Sequence, residues 1–384
     1  MSNMFSKWVA FWGNAISISD RQISTYAKDL TLRYPLYVPF DGNKVRLHFS
    51  NFTGTENVKI TSCFVMRESE GNFSNPHQVL FNGSESGKIP PTKEIITDDI
   101  SIDLKRGDTL TVSIYFADYT EMRAGTLVTG PLSKAFFAYG NFAKEKELPQ
   151  NLSRETNWFY FLNTADIFTE GKNHALICYG DSITAHEWPD WLKLKLEKEN
   201  VTDISVIRRA VCGTRILRDY ECITYQAYGL KGEKRFDYEA QAAGADSIII
   251  QHGINDIIHP VGTEVNKFRP MSDMPASADL INGVKSLYLK IAKERGYKIY
   301  SGTLLPIFGW RTYADFREPV KNEYNEWLRT SSEFDACVDF DKALRDKDDM
   351  RKFADGFDSG DHLHPSSAGY QKMADTAFEV IYKT

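Results

Sequence analysis

The chain has 384 residues, more than one ordinary core accommodates, so length favours two domains. Hydrophobic residues make up 42% and charged residues 26%, and no stretch approaches the roughly 20 apolar residues of a membrane helix, which excludes a helical membrane protein. The net charge is only −6, with Lys and Arg interspersed among acids, so neither nucleic acid nor a membrane surface is an expected partner.

The opening segment, MSNMFSKWVAFWGNAIS, carries one Lys and a short aromatic run but no continuous apolar stretch and no small-residue cleavage site, so it reads as lacking an export signal. From about residue 28 to 165 short strands follow one another. KVRLHFSN, VKITSCFVM, ISIDL and TLTVSIYF are rich in β-branched and aromatic residues, and Asp41-Gly42, Asn82-Gly83 and Arg106-Gly107-Asp108 punctuate them. That spacing predicts an all-β sandwich over residues 1–165. Beyond about 170 the rhythm changes to apolar strands (ALICY, ISVI, SIIIQ, KIYSGTLL) separated by helix-length segments such as WPDWLKLKLEKEN, ADLINGVKSLYLKIAKERG and VKNEYNEWLRTSSE. Alternation of this kind predicts a parallel sheet with crossover helices, an α/β domain over 166–384.

Five cysteines (Cys63, Cys178, Cys212, Cys222, Cys337) are scattered without C-x-x-C pairs, a pattern of reduced thiols and a cytoplasmic setting. Trp8, Trp12 and Trp158, in or near the predicted sandwich, could stack on sugar rings, but packing in a core is the commoner use of such residues.

The chemistry concentrates in the second half. The strand HALICY runs into Gly180-Asp181-Ser182, with a helix close behind. Side chains just past the carboxyl end of a strand in an open α/β sheet face the ligand crevice, so Ser182 is placed to be a nucleophile. Alone, the tripeptide is better read as a helix N-cap. Three further segments change that reading. Ala210-Val211-Cys212-Gly213-Thr214-Arg215 follows the second strand, and its glycine lets backbone approach a ligand. Gly253-Ile254-Asn255-Asp256 follows the third and offers an amide donor. Asp361-His362-Leu363-His364-Pro365 lies near the end, with a carboxylate three residues before an imidazole.

These blocks, Gly180-Asp181-Ser182, Gly213, Gly253-x-Asn255-Asp256 and Asp361-x-x-His364-Pro365, resemble those of the SGNH hydrolases, the GDSL esterase and lipase family. The resemblance covers about residues 158–384, and Ile183 stands where the family name has Leu. FDACVDFDKALRD and DSGDHLHPSSAGYQKMAD, together with SKWVAFWGNAIS and VPFDGNKVRLHFSN, are similar to two-domain bacterial members with an amino-terminal β-sandwich, so the likeness extends along the chain. It implies a flavodoxin-like α/β hydrolase domain preceded by a jelly-roll-like sandwich. It also implies Ser182 as nucleophile, His364 as general base, Asp361 as its orienting acid, and an oxyanion hole formed by the N–H groups of Ser182 and Gly213 and by Asn255.

Around this set several readings stay open. Asp256 is a rival to Asp361, although the i, i+3 spacing favours the latter. His362 and His364 could suggest a metal pair, but no Cys or carboxylate cluster completes a set, so no metal and no cofactor is expected. Asp181, Arg215 and His186 are further candidates for substrate contact. Arg215 could instead pair with Asp219, and His186 could cap the helix. The expected activity is hydrolysis of short-chain acyl esters, acetyl esters of carbohydrate by the family analogy, with a small molecule or oligosaccharide as substrate. The alternatives are a short-chain lipase or general acyl esterase, and a non-catalytic carbohydrate-binding protein with a disused hydrolase domain.

Overall fold

A computed structural model describes residues 5–19, 25–220 and 222–382. The first four residues, on which the reading of the opening segment partly rests, lie outside the described residues. Two compact units emerge, one comprising 1–175, 200–207 and 242–244, the other 176–199, 208–241 and 245–384.

In the first unit, period-two alternation sets the strands. The main ones are β1 (Phe5–Gly13), β2 (Leu30–Tyr37), β3 (Gly42–Ser50), β4 (Ser62–Ser69), β5 (Thr109–Phe116), β6 (Ala135–Tyr139) and β7 (Leu162–Glu170). Leu110, Val112, Ile114 and Phe116 of β5 are all fully buried, as are Val45, Leu47 and Phe49 of β3. One sheet runs β1-β7-β3 and another β6-β2-β5-β4, with antiparallel pairing throughout these strands. The region is thus antiparallel and β-rich, as its composition implies. Residues 166–170, grouped by sequence with the α/β part, lie inside β7 and pair with both β1 and β3. An apolar strand looks the same at the end of one unit as at the start of the next, which is why pattern alone divides the chain elsewhere.

On the face of β3 opposite Val45, Leu47 and Phe49, His48 sits between Glu94 (3.1 Å) and Asp166 (2.9 Å), and Arg46 pairs with Asp166 at 2.8 Å. The three tryptophans weighed between sugar stacking and packing have partners within the unit. Trp12 is buried against Phe159, the Trp8 ring carries the Arg46 guanidinium at 4.5 Å, and Trp158 stacks on Tyr160.

The second half supplies β8 (His174–Gly180), α1 (Ser182–Ala185), α2 (Trp188–Lys198), β9 (Ile204–Ala210), α3 (Gly232–Glu239), β10 (Ala245–Gln251), α4 (Ile254–Ile258), β11 (Lys298–Gly302), α5 (Arg317–Thr330), β12 (Ala336–Val338), α6 (Phe340–Leu344) and α7 (Ser367–Tyr382). The five strands order as β9-β8-β10-β11-β12, with β10, β11 and β12 paired in parallel. This is the flavodoxin-like order 2-1-3-4-5, and its switch point lies between β8 and β10, where a ligand crevice is expected. Gly180-Asp181-Ser182 and Gly253-Ile254-Asn255 follow those two strands. Among the described residues no helix is long and apolar enough to cross a membrane.

Candidate active site

The strand β8 is buried from Ala175 to Gly180, and the turn after it needs a glycine. A Cβ there would collide with the Gln251 carbonyl and the Thr184 side chain. Beneath the turn a buried guanidinium, Arg235, donates to the Gly180 carbonyl (3.3 and 3.4 Å) and to that of Arg209 (3.0 Å), with Glu239 neutralising it at 2.7 Å. Asp181 caps the single turn of α1, accepting from the Ile183 N–H at 3.1 Å. Its carboxyl is fully enclosed, and burial pushes it up to about 7. In position it is a cap inside the turn.

Ser182 is 8% exposed, and its Oγ lies 2.9 Å from Nε2 of His364. The other ring nitrogen, Nδ1, lies 2.7 Å from Oδ2 of Asp361. Oδ1 of the same carboxylate accepts from the Leu363 and His364 N–H groups at 2.9 and 2.8 Å. Burial alone would raise the Asp361 carboxyl, but the hydrogen bonds from the His364 ring and backbone outweigh it and hold the group below the usual carboxylate range. A carboxylate at that place accepts from Nδ1–H, so Nε2 keeps its lone pair for the serine hydroxyl.

The rival acid is engaged elsewhere. Asp256 accepts from the N–H groups of Ile216 (2.8 Å) and Leu217 (3.0 Å), which pins the loop after β9. Gly213 lies in that loop with φ +79°, and a Cβ would run into the Tyr228 ring. Asn255 donates one amide hydrogen to the Thr214 carbonyl at 3.0 Å, leaving the other uncommitted by that bond. His252 donates from Nε2 to the same carbonyl at 3.1 Å while its Nδ1 accepts from the Tyr288 hydroxyl at 2.9 Å, and burial lowers it to about 3. Its neutral form is thereby fixed.

Of the remaining candidates, Arg215 is brought to structural partners. It is 2% exposed, pairs with Asp273 at 3.2 Å, and donates to the carbonyls of Arg218 (3.3 Å) and Asp219 (2.7 Å). The Asp219 carboxylate is used instead by the Lys231 N–H. His186 flanks the site, its ring edge-on to His364 with centroids 5.3 Å apart, and burial drives it down to about 3. His362 turns away with φ +65° and pairs with Asp358 at 2.6 Å. Among the described residues no group of three His, Cys, Asp or Glu side chains could hold a metal ion. Two neighbours went unread in the sequence. Trp310, from the loop after β11, meets His364 edge to face at 6.3 Å, and His252 sits one residue before Gly253.

Fold and site together define an α/β protein with a serine, a histidine and an aspartate in hydrogen-bonded series. Residues 178–372 match the GDSL-like Lipase/Acylhydrolase family, and the chain belongs to it. Solved structures similar to this chain include Axe2, an acetylxylan esterase from Geobacillus stearothermophilus (18% identity, 54% of this chain and 94% of that chain, TM-score 0.40). Another is a member of the lipolytic protein G-D-S-L family from Veillonella parvula (18% identity, 55% of this chain and 100% of that chain, TM-score 0.36). No curated protein matches the sequence.

Proposed function

We propose that the protein is a serine esterase that removes short acyl groups, acetyl foremost, from a small-molecule or oligosaccharide alcohol through an acyl-enzyme on Ser182. The observation that carries this reading is the unbroken chain from Ser182 Oγ through His364 to Asp361, at 2.9 and 2.7 Å. As Oγ attacks the ester carbonyl, His364 takes the hydroxyl proton and Asp361 stabilises the imidazolium. The carbonyl oxygen becomes an oxyanion received by the N–H groups of Ser182 and Gly213 and by the Asn255 amide, each donor contributing about 3 kcal/mol in comparable systems. Collapse expels the alcohol, which takes its proton from His364. Water then attacks the acyl-enzyme with the same imidazole as base, releasing the carboxylic acid and restoring Ser182. Every step uses side chains, backbone N–H groups and water, so the chemistry calls for no cofactor or metal.

The choice of acetyl on carbohydrate rests on the resemblance to two-domain bacterial members of the family. Five free thiols fit a reducing, cytoplasmic setting. The test compares p-nitrophenyl acetate, butyrate and octanoate with acetylated oligosaccharides, using wild type and Ser182→Ala. Turnover of acetyl esters should fall by roughly 10⁴-fold or more in the variant. Equal rates in the two proteins remove the esterase reading, and a preference for octanoate moves the substrate to longer acyl chains.

A further inference from the structure

The loop carrying Gly213 is gripped at several points by α4 and the residues just before it. Asn255 and His252 hold the Thr214 carbonyl, and Asp256 holds the Ile216 and Leu217 N–H groups. Those contacts leave the glycine itself, the most mobile link in any backbone, to be fixed by something else. Two tyrosines and a histidine surround it. The Tyr228 ring occupies the space a side chain on Gly213 would need. Tyr220 donates its hydroxyl to the Gly213 carbonyl at 3.0 Å. His259 contacts that same hydroxyl through Nδ1.

Proton accounting gives the chain a direction. A carbonyl can only accept, so the single hydroxyl proton of Tyr220 goes to Gly213, and the Tyr220 oxygen must accept from Nδ1–H of His259. Burial, with Arg269, Arg215, Arg311 and Arg317 nearby, pushes His259 well down, so the ring is neutral with one proton to place. The three rings pack on one another, Tyr220 to Tyr228 at 5.2 Å, Tyr220 to His259 at 5.5 Å and Tyr228 to His259 at 5.4 Å. Arg215 covers Tyr220 at 4.2 Å. His259 is also the residue that closes α4: its N–H donates to the Asn255 carbonyl at 3.2 Å, and its own carbonyl accepts from Arg269 at 2.6 Å.

We infer that Tyr220 and His259 are positioning residues that lock Gly213 to the end of α4, and so hold the Gly213 N–H and the Asn255 amide at one separation. The inference rests on the esterase reading, in which those two groups receive the oxyanion. Neither residue touches substrate. Their effect is on a geometry that matters only when the carbonyl oxygen becomes charged, so it falls on kcat and leaves substrate affinity alone.

The experiment measures p-nitrophenyl acetate kinetics, the Ki of an alkylboronic acid that forms a tetrahedral adduct on Ser182, and the melting temperature, for wild type, Ser182→Ala, Tyr220→Phe, His259→Leu and His259→Asn. Tyr220→Phe should lose roughly tenfold or more in kcat with KM within about twofold, since small misplacements of catalytic groups cost up to about 10²-fold. Boronate Ki should rise in step with the loss of kcat. His259→Asn, whose amide can present an N–H near the place of Nδ1, should lose less than His259→Leu. Wild-type kcat in Tyr220→Phe, beside an inactive Ser182→Ala, overturns the lock and leaves the esterase reading standing. So does a loss of kcat that follows melting temperature and leaves boronate Ki unchanged. Absence of Ser182-dependent turnover in the wild type overturns both together.

Discussion

Asp361 lies just before α7 and Asp256 within α4, and their hydrogen bonds assign them different work. Asp361 faces the His364 ring with a 42% exposed side chain, whereas Asp256 is buried with both oxygens on backbone N–H groups of the Gly213 loop. Asp361→Asn presents an amide to Nδ1, favouring the tautomer that cannot accept from Ser182, and kcat should fall by roughly 10²- to 10⁴-fold with little change in melting temperature. Asp256→Asn keeps one acceptor oxygen and turns a donor toward the other N–H, which costs about 1–3 kcal/mol of stability. Kinetics and thermal unfolding on both variants separate these outcomes. If Asp256→Asn loses activity at unchanged melting temperature while Asp361→Asn stays active, the orienting role passes to Asp256.

At the scale of elements, the proposed chemistry depends on turns built around glycine. Gly213→Ala places a left-handed backbone under a Cβ, costing about 1–2 kcal/mol, and drives that Cβ into the Tyr228 ring. Both a loss of stability beyond that figure and a roughly tenfold or larger drop in kcat are expected, read by denaturant unfolding and acetyl-ester turnover. Wild-type values for both would mean the loop yields without consequence. Such turns were legible in the sequence because local rules enforce them: a glycine at a strand end, an amide two residues past another, a carboxylate three before an imidazole. What was not legible depends on contacts remote in sequence. Arg215 finds Asp273, Tyr220 finds His259, and Trp310 reaches His364, each across tens of residues that carry no periodic trace of the meeting. Residues 166–170 of β7 fall outside the predicted sandwich for the same reason, since their partners in β1 and β3 lie more than a hundred residues earlier.

For the whole molecule, the two units should respond to alkali differently. In the first, burial tends to lower His48, but its hydrogen bonds to Asp166 and Glu94 dominate and raise it from 6.5 to about 9. Because the folded form binds this proton more tightly, the stabilisation is complete below pH 6.5 and is lost as pH rises through 9, amounting to about 3 kcal/mol. In the second, burial raises Asp181 from 3.8 to about 7 and Asp256 from 3.8 to about 6. Their contribution has the same sign but is spent by pH 7, and over pH 4 to 6.5 it is opposed by His186 and His252, which burial lowers to about 3. Hydrogen exchange on the intact chain, corrected for intrinsic rates, should therefore show β3 and β7 losing protection between pH 7 and 9 while β8 and β10 keep theirs. Replacing Asp181 with Asn isolates the second group: the melting temperature of the variant relative to wild type should climb from pH 4 to 7 and then level. Loss of protection in β8 matching that in β3, or a variant difference that is flat from pH 4 to 7, would show that these buried groups do not set the pH response of their units.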